Sequence, residues 1–181
     1  MTAPRWLDDE QQEVWRAWLE VNAQLFARIS RELQANSGLS LQDYDVLVAL
    51  TDVPDGSVRM RDLGVKLQWE KSRLSKHLTR MAARGLVARR ECHDDRRGSF
   101  VELTDDGLAA IRAAAPDHAA LVKDIFFDGL SREQVRDLGK VCAIVLERLG
   151  AAETAQVSPS RSRTASEPKT IAAPSGAPGP G

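Results

Sequence analysis

The sequence predicts a mainly α-helical chain with one small β-hairpin, carried in a basic lobe between two acidic helical flanks. Three observations lead there. Apolar residues recur at three- and four-residue steps in both flanks. Two short runs rich in β-branched, aromatic and basic residues, GLVARREC and SFVELT, bracket the polar turn HDDRRG. Charge, finally, is segregated along the chain. The 181 residues hold 25 Lys and Arg against 26 Asp and Glu, a formal net charge of −1. Between Ser57 and Arg97, however, 12 basic residues stand beside 5 acidic ones, whereas residues 1–56 and 98–150 together hold 10 basic and 19 acidic. The neutral average hides a cationic segment suited to phosphates, between flanks that keep the chain soluble.

Each element follows from its own pattern. From Asp8 to about Gln34, the residues Val14, Trp15, Trp18, Leu19, Asn22, Leu25, Phe26, Ile29 and Leu33 form one stripe with a single polar interruption, which predicts a long amphipathic first helix. Ser40 with Asp43 three residues on has the form of a capping box, and Tyr44, Leu47, Val48 and Leu50 carry a second helix that ends near Val53, Pro54 and Gly56. A short extended GSV leads to a third helix around Met60, Asp62, Leu63 and Leu67. After a break comes EKSRLSKHLTRMAAR, where Leu74, Leu78 and Met81 share the inward face. The hairpin follows. Thr104 caps a helix through Ile111 that is expected to bend at Pro116 and run on to Phe127. Ser131 with Gln134 opens the last helix, striped by Val135, Leu138, Val141, Cys142, Val145 and Leu149. Residues 151–181 contain five of the eight prolines, five serines and no aromatic residue, so a disordered tail is expected.

The chain therefore divides into N-terminal helices over 1–56, a basic lobe over 57–103, C-terminal helices over 104–150 and the tail over 151–181. The first helix and the last two carry more apolar surface than a small basic lobe can cover, which predicts burial against a second copy, a homodimer.

In the lobe, a 100° rotation per residue turns Ser72, Lys76, Thr79 and Ala83 away from the core, with Arg73 and Arg80 beside them. A helix so decorated fits the major groove: Arg and Lys reach guanine edges, Ser and Thr suit either base, and Arg80 can hold phosphate. Two short helices joined by a tight turn, the second cationic, form a helix-turn-helix. The hairpin tip adds Arg96 and Arg97 behind Asp94 and Asp95, an arrangement able to place a guanidinium in a narrow minor groove while a carboxylate fixes its direction. Double-stranded DNA is the expected partner.

DLGVKL, SRLSKHLTRMAARGLV, DDRRG and VELTDDG, in that order and spacing, resemble the winged helix-turn-helix of MarR-type transcriptional regulators, a likeness covering about residues 8–149. It implies a winged helix-turn-helix lobe plus a helical dimerisation lobe, with two wings and two recognition helices of a homodimer on a palindromic operator. By position, Asp95 and Arg97 match the acid and arginine of the wing, and Ser72, Arg73, Ser75 and Lys76 match the groove-facing start of the recognition helix. Gln68, Trp69 and Glu70 stand where members often have Gly, an apolar residue and a Ser cap, so Gln68 is expected in a backbone conformation that favours glycine. Members commonly respond to small aromatic molecules, for which Trp15, Trp18 and Phe26 are candidate pocket walls, with the dimer core as their plainer use.

Other chemistries lack parts. No apolar stretch approaches the ~20 residues of a membrane span, and MTAPRWLDDE has neither the basic nor the apolar region of a signal peptide, so a cytoplasmic protein is expected. The two cysteines, Cys92 and Cys142, have no paired spacing for a disulfide framework or zinc cage. Cys92, His93, Asp94 and Asp95 are consecutive on a strand end and point to alternate faces, so no metal is expected. His77 and His118 read as surface or interface residues. Without a Gly-rich phosphate loop, a G-x-S-x-G elbow or a separated acid pair, neither an enzyme nor a cofactor is expected. Two alternatives remain: a thiol-based regulator sensing oxidation through Cys92, whose neighbours Arg89, Arg90, Arg96 and Arg97 would lower its pKa, and a helical protein-interaction module with no specific DNA binding. Cys142, on an apolar stripe, reads as core.

Overall fold

A computed structural model describes residues 4–91 and 99–157, with backbone only for Glu91 and 151–157. Within them, six α-helices and three strands follow in the order α1 (Asp9–Ser37), α2 (Leu41–Thr51), β1 (Ser57–Arg59), α3 (Met60–Leu67), α4 (Lys71–Ala83), β2 (Val87–Glu91), β3 (Ser99–Leu103), α5 (Asp105–Val122) and α6 (Arg132–Val157). The chain divides into two compact units, the first ending at Leu130 and the second starting at Ser131.

Local signals start and stop the helices of the first unit. Asp8 and Gln11 form a reciprocal capping box at the head of α1, and Gly38, at φ 65°, ends it in the left-handed conformation. Ser40 and Asp43 form the predicted box on α2, with Asp43 N donating to Ser40 Oγ at 3.1 Å and Ser40 N to Asp43 Oδ2 at 3.0 Å. One core holds the unit together. Ile29 and Leu33 of α1 and Val46, Leu47 and Leu50 of α2 join Leu63, Leu74, Leu78, Met81, Val101 and Ile111, all buried. The antiparallel sheet has the order β1-β3-β2, with Val58 opposite Val101 and Arg89 opposite Val101 on the other side.

The junction after α4 explains two motifs. Gly85, at φ 75°, turns the chain from α4 into β2. Thr104 then closes the joint: its hydroxyl donates to Gly85 O at 2.6 Å and accepts from Gly107 N at 3.0 Å. Gly107 is required by space, since a Cβ there would lie 2.0 Å from Leu86 O.

α5 runs through Pro116 to Val122, and the helical course continues without a break to Phe127 as a wider π-helical turn over Lys123–Phe127, in which Asp128 N donates to Lys123 O at 2.9 Å. In the second unit, Ser131 and Gln134 make the predicted reciprocal box. Helix α6 continues to Val157, seven residues past the boundary expected at 150. The sequence AAETAQV is rich in alanine, the strongest helix former, and no proline occurs between Ser131 and Pro159.

Candidate nucleic-acid interface

Helix α4 is fixed on one side and free on the other. Leu74, Leu78 and Met81 are buried, while Ser72, Arg73, Lys76, Thr79, Arg80 and Ala83 are exposed and Ser75 is half-buried. Thr79 donates its hydroxyl proton to Ser75 O at 2.9 Å, so it presents an acceptor oxygen outward. Arg89 from β2 reaches within 3.5 Å of that oxygen and adds a cation that helical rotation alone does not place there.

The turn before α4 is a Schellman motif. Trp69 N donates to Gly64 O at 2.9 Å and Gln68 N to Val65 O at 3.2 Å. Gln68 sits at φ 55°, as the departure from the motif requires, and its side-chain amide also donates to Val65 O at 3.1 Å, an added bond that glycine could not make. Glu70, at the N-cap of α4, makes no side-chain capping bond. Trp69 gives Arg73 a platform, with the guanidinium carbon 4.6 Å from the ring centre.

The stem of the hairpin extends the basic surface. Register puts Phe100 of β3 between Arg59 of β1 and Arg90 of β2, and both guanidinium carbons lie over its ring, at 5.0 and 4.9 Å. Arg90 also donates to Glu102 at 2.6 Å. Arg59 and Arg90 become one cluster only once the sheet register is known. The predicted tip residues Asp94, Asp95, Arg96 and Arg97, with Cys92 and His93, lie outside the described residues.

Behind α4 a polar network corrects the reading of His77 as a surface or interface residue. Its side chain is 10% exposed, and Nε2 lies 3.0 Å from Oδ1 of Asp43, whose own side chain is 5% exposed. Nε2 nevertheless makes no directed hydrogen bond, so this contact is chiefly electrostatic. Nδ1 accepts from Arg80 Nη2 at 3.1 Å. On the far side of Asp43, Arg84 donates to Oδ2 at 2.7 Å and to Gly38 O at 2.9 Å. Burial works to raise the Asp43 pKa, but the Ser40 amide and Arg84 outweigh it and hold the carboxyl below its ordinary value. Burial pushes His77 down; Asp43 opposes this, and Arg80 and Arg73 reinforce it. A polar cavity of about 590 Å³ opens over the network, lined by Arg73, His77, Arg80 and Arg84 among others.

The neighbouring residues of α2 face elsewhere. Tyr44 and Asp45 line a mostly apolar cleft of about 530 Å³ with Leu25, Phe26, Ile29, Val48, Phe126 and Phe127, the last two brought there by the π-helical turn. His118 packs against Tyr44 at 4.5 Å between ring centres, the rings tilted by 43°, and is half-buried rather than on the surface. Burial raises the Asp45 pKa against the pull of His118, and lowers that of His118 against the pull of Asp45. Of the aromatic candidates, Phe26 lines this cleft. Trp15 and Trp18 do not, and are 52% and 44% exposed. Val141, Val145 and Leu149 of α6 are likewise exposed, as is Cys142, which is therefore not core within the chain. Among the described residues no group of side chains could hold a metal ion, and no helix is long and apolar enough to cross a membrane.

The chain is similar in sequence and fold to known proteins. The MarR family model matches residues 37–98, which span α2 to the hairpin. The crystal structure of AbsC, a MarR family transcriptional regulator from Streptomyces coelicolor, is similar at 40% identity, covering 82% of this chain and 99% of that one, with a TM-score of 0.76. Sco3205, a MarR family regulator from the same organism solved in complex with DNA, is 38% identical, covering 82% of this chain and 93% of its own, with a TM-score of 0.77. The HTH-type transcriptional regulator MhqR of Bacillus subtilis is 25% identical over 75% of this chain and 85% of its own length.

Proposed function

The chain belongs to the MarR family of transcriptional regulators, and on that premise we propose that it is a sequence-specific DNA-binding repressor, a homodimer on a palindromic operator, released by a small aromatic effector. The observation that carries DNA binding is the outer face of α4, where Ser72, Arg73, Lys76, Thr79 and Arg80 stand exposed on a helix whose other face is locked into the core. In this reading Arg73 and Lys76 read base edges with Ser72 and Ser75, Arg80 holds phosphate, and Asp95, Arg96 and Arg97 form the minor-groove tip of the wing. That the similar Sco3205 was solved in complex with DNA supports DNA as the partner.

Dimerisation is supported by the apolar residues that each unit leaves in solvent: Val14, Trp15, Trp18 and Leu19 on α1, and Val141, Ile144, Val145 and Leu146 on α6. An aromatic effector is supported by the cleft beside Phe26 and Tyr44, whose apolar walls and few polar groups suit a flat ligand. No enzymatic role is invoked. The cytoplasm is the compartment where such a protein meets DNA.

The test is selection from a randomised duplex pool, followed by titration of the winning sequence and an unrelated duplex at two salt concentrations. The proposal expects an inverted repeat with half-site centres about 10 base pairs apart, bound at least ~10³-fold more tightly than random duplex. Equal affinity for all sequences, or no salt-dependent binding, would refute it.

A further inference from the structure

We propose that His77 is a positioning residue for DNA binding: its neutral imidazole, seated against the Asp43 carboxylate of α2, accepts from Arg80 of α4 and fixes the direction in which the Arg80 guanidinium meets a phosphate. This rests on the reading of α4 as the DNA-facing helix.

The tautomer follows from the partners. Arginine only donates, so the 3.1 Å contact from Arg80 Nη2 requires a lone pair on Nδ1, and the proton of the neutral ring is then on Nε2, facing Asp43 Oδ1 at 3.0 Å. Arg84 and the Ser40 amide both bind Oδ2, so Oδ1 is the carboxylate oxygen left facing the imidazole. What the imidazole adds is on its other side. A free arginine side chain loses rotamer entropy when it is ordered on a ligand. The bond to Nδ1, made before DNA arrives, removes part of that loss, and the Arg80 side chain so held lines the polar cavity.

Protonation would undo the link. A proton on Nδ1 replaces the acceptor with a donor and sets a positive ring against Arg80, so the guanidinium swings free. The charged groups facing the ring are Asp43 from α2 and Arg73 and Arg80 from α4; Arg84 reaches it only through Asp43, and the turn contributes Trp69, edge-on at 5.3 Å. Burial and the two arginines keep the ring neutral at physiological pH against the pull of Asp43.

The experiment measures how much Arg80 matters while the state of residue 77 changes. Full-length wild type, His77→Gln and His77→Leu, each with and without Arg80→Ala, are titrated by fluorescence anisotropy between about pH 5 and pH 8 at fixed salt. The probe is the duplex that wild type selects from a randomised pool. In wild type at pH 8, Arg80→Ala is expected to weaken binding about three- to tenfold, and this ratio should fall towards one as pH drops through the imidazole pKa. With His77→Gln, whose amide donates and accepts without titrating, the ratio should stay at its high value throughout; with His77→Leu it should be near one at every pH. Using a ratio cancels the general effect of pH on DNA binding. A ratio that is constant with pH in wild type, or an undiminished Arg80 effect in the His77→Leu background, would overturn the proposal while leaving DNA binding intact. No binding to any duplex would instead overturn the underlying reading of α4. If His77→Leu does not fold, the comparison of wild type with His77→Gln decides alone.

Discussion

Gly107→Ala is a substitution for which helix propensity and packing predict opposite signs. Gly107 lies in the first turn of α5, and alanine is normally preferred to glycine within a helix by up to ~1 kcal/mol, so propensity alone predicts a more stable protein. The space at this position predicts the reverse. The added Cβ would lie 2.0 Å from Leu86 O and 3.0 Å from both Leu86 C and Leu103 Cδ1, whereas a carbon approaches a carbonyl oxygen to about 3.3 Å. The helix start must therefore retreat from the Leu86 carbonyl by more than an ångström. That motion pulls Thr104 away from Gly85 O and disturbs the cap on Gly107 N, now 2.6 and 3.0 Å. Overpacking costs roughly 1 to 3 kcal/mol and loss of the cap a further ~1, against at most ~1 regained from propensity. A net loss of about 1 to 3 kcal/mol is expected, read as a lower urea midpoint at unchanged slope and equal protein concentration. A variant as stable as wild type, or more stable, would refute the argument from close approach.

Three further outcomes are expected. Ile144→Glu, at a side chain 54% exposed in the single chain, should leave each protomer folded yet weaken self-association by at least about a hundredfold in sedimentation, because it buries a charge between copies; an unchanged dimer would count against α6 as an interface. Asp43 has a folded pKa below its unfolded value, so it stabilises the protein above the unfolded pKa near 4, and that stability is lost as pH falls through the lower folded value. Urea midpoints of wild type should therefore approach those of Asp43→Asn below about pH 4, and parallel curves there would refute the linkage. Arg73→Ala should relax preference at one base position in each half-site, worth about 1 to 3 kcal/mol, while affinity for random duplex changes little; a uniform loss across sequences would make Arg73 a phosphate contact.

Much of the fold is legible in the sequence because it is encoded locally. The boxes at Ser40 and Ser131, the Thr104 cap and the inward set Leu74, Leu78 and Met81 each depend on residues within a few positions of one another, whereas the left-handed conformation of Gln68 is legible only through the family resemblance. The surface reading of His77 fails although the helical rotation places it between Leu74, Leu78 and Met81; its isolation among cations points to solvent, and the carboxylate that explains it lies on another helix. The cluster of Arg59, Phe100 and Arg90 depends on cross-strand register, which a single strand does not specify. The stripe on α1 is apolar as its spacing predicts, but Trp15 and Trp18 are not covered by their own chain, and periodicity says that a face will be buried without saying by what.

Consecutive residues of α2 serve different neighbours: Asp43 holds Arg84 and His77, while Tyr44 and Asp45 wall the apolar cleft. An eleven-residue helix spans about 16 Å and moves as a unit, so a molecule that shifts Tyr44 also displaces the carboxylate behind α4. Linkage then works in both directions by the same factor. If occupancy of the cleft loosens DNA, bound DNA must reject that occupant equally, typically by 5- to 150-fold. An effector constant measured on the free protein would overstate, by that factor, how readily the protein leaves a promoter it already occupies.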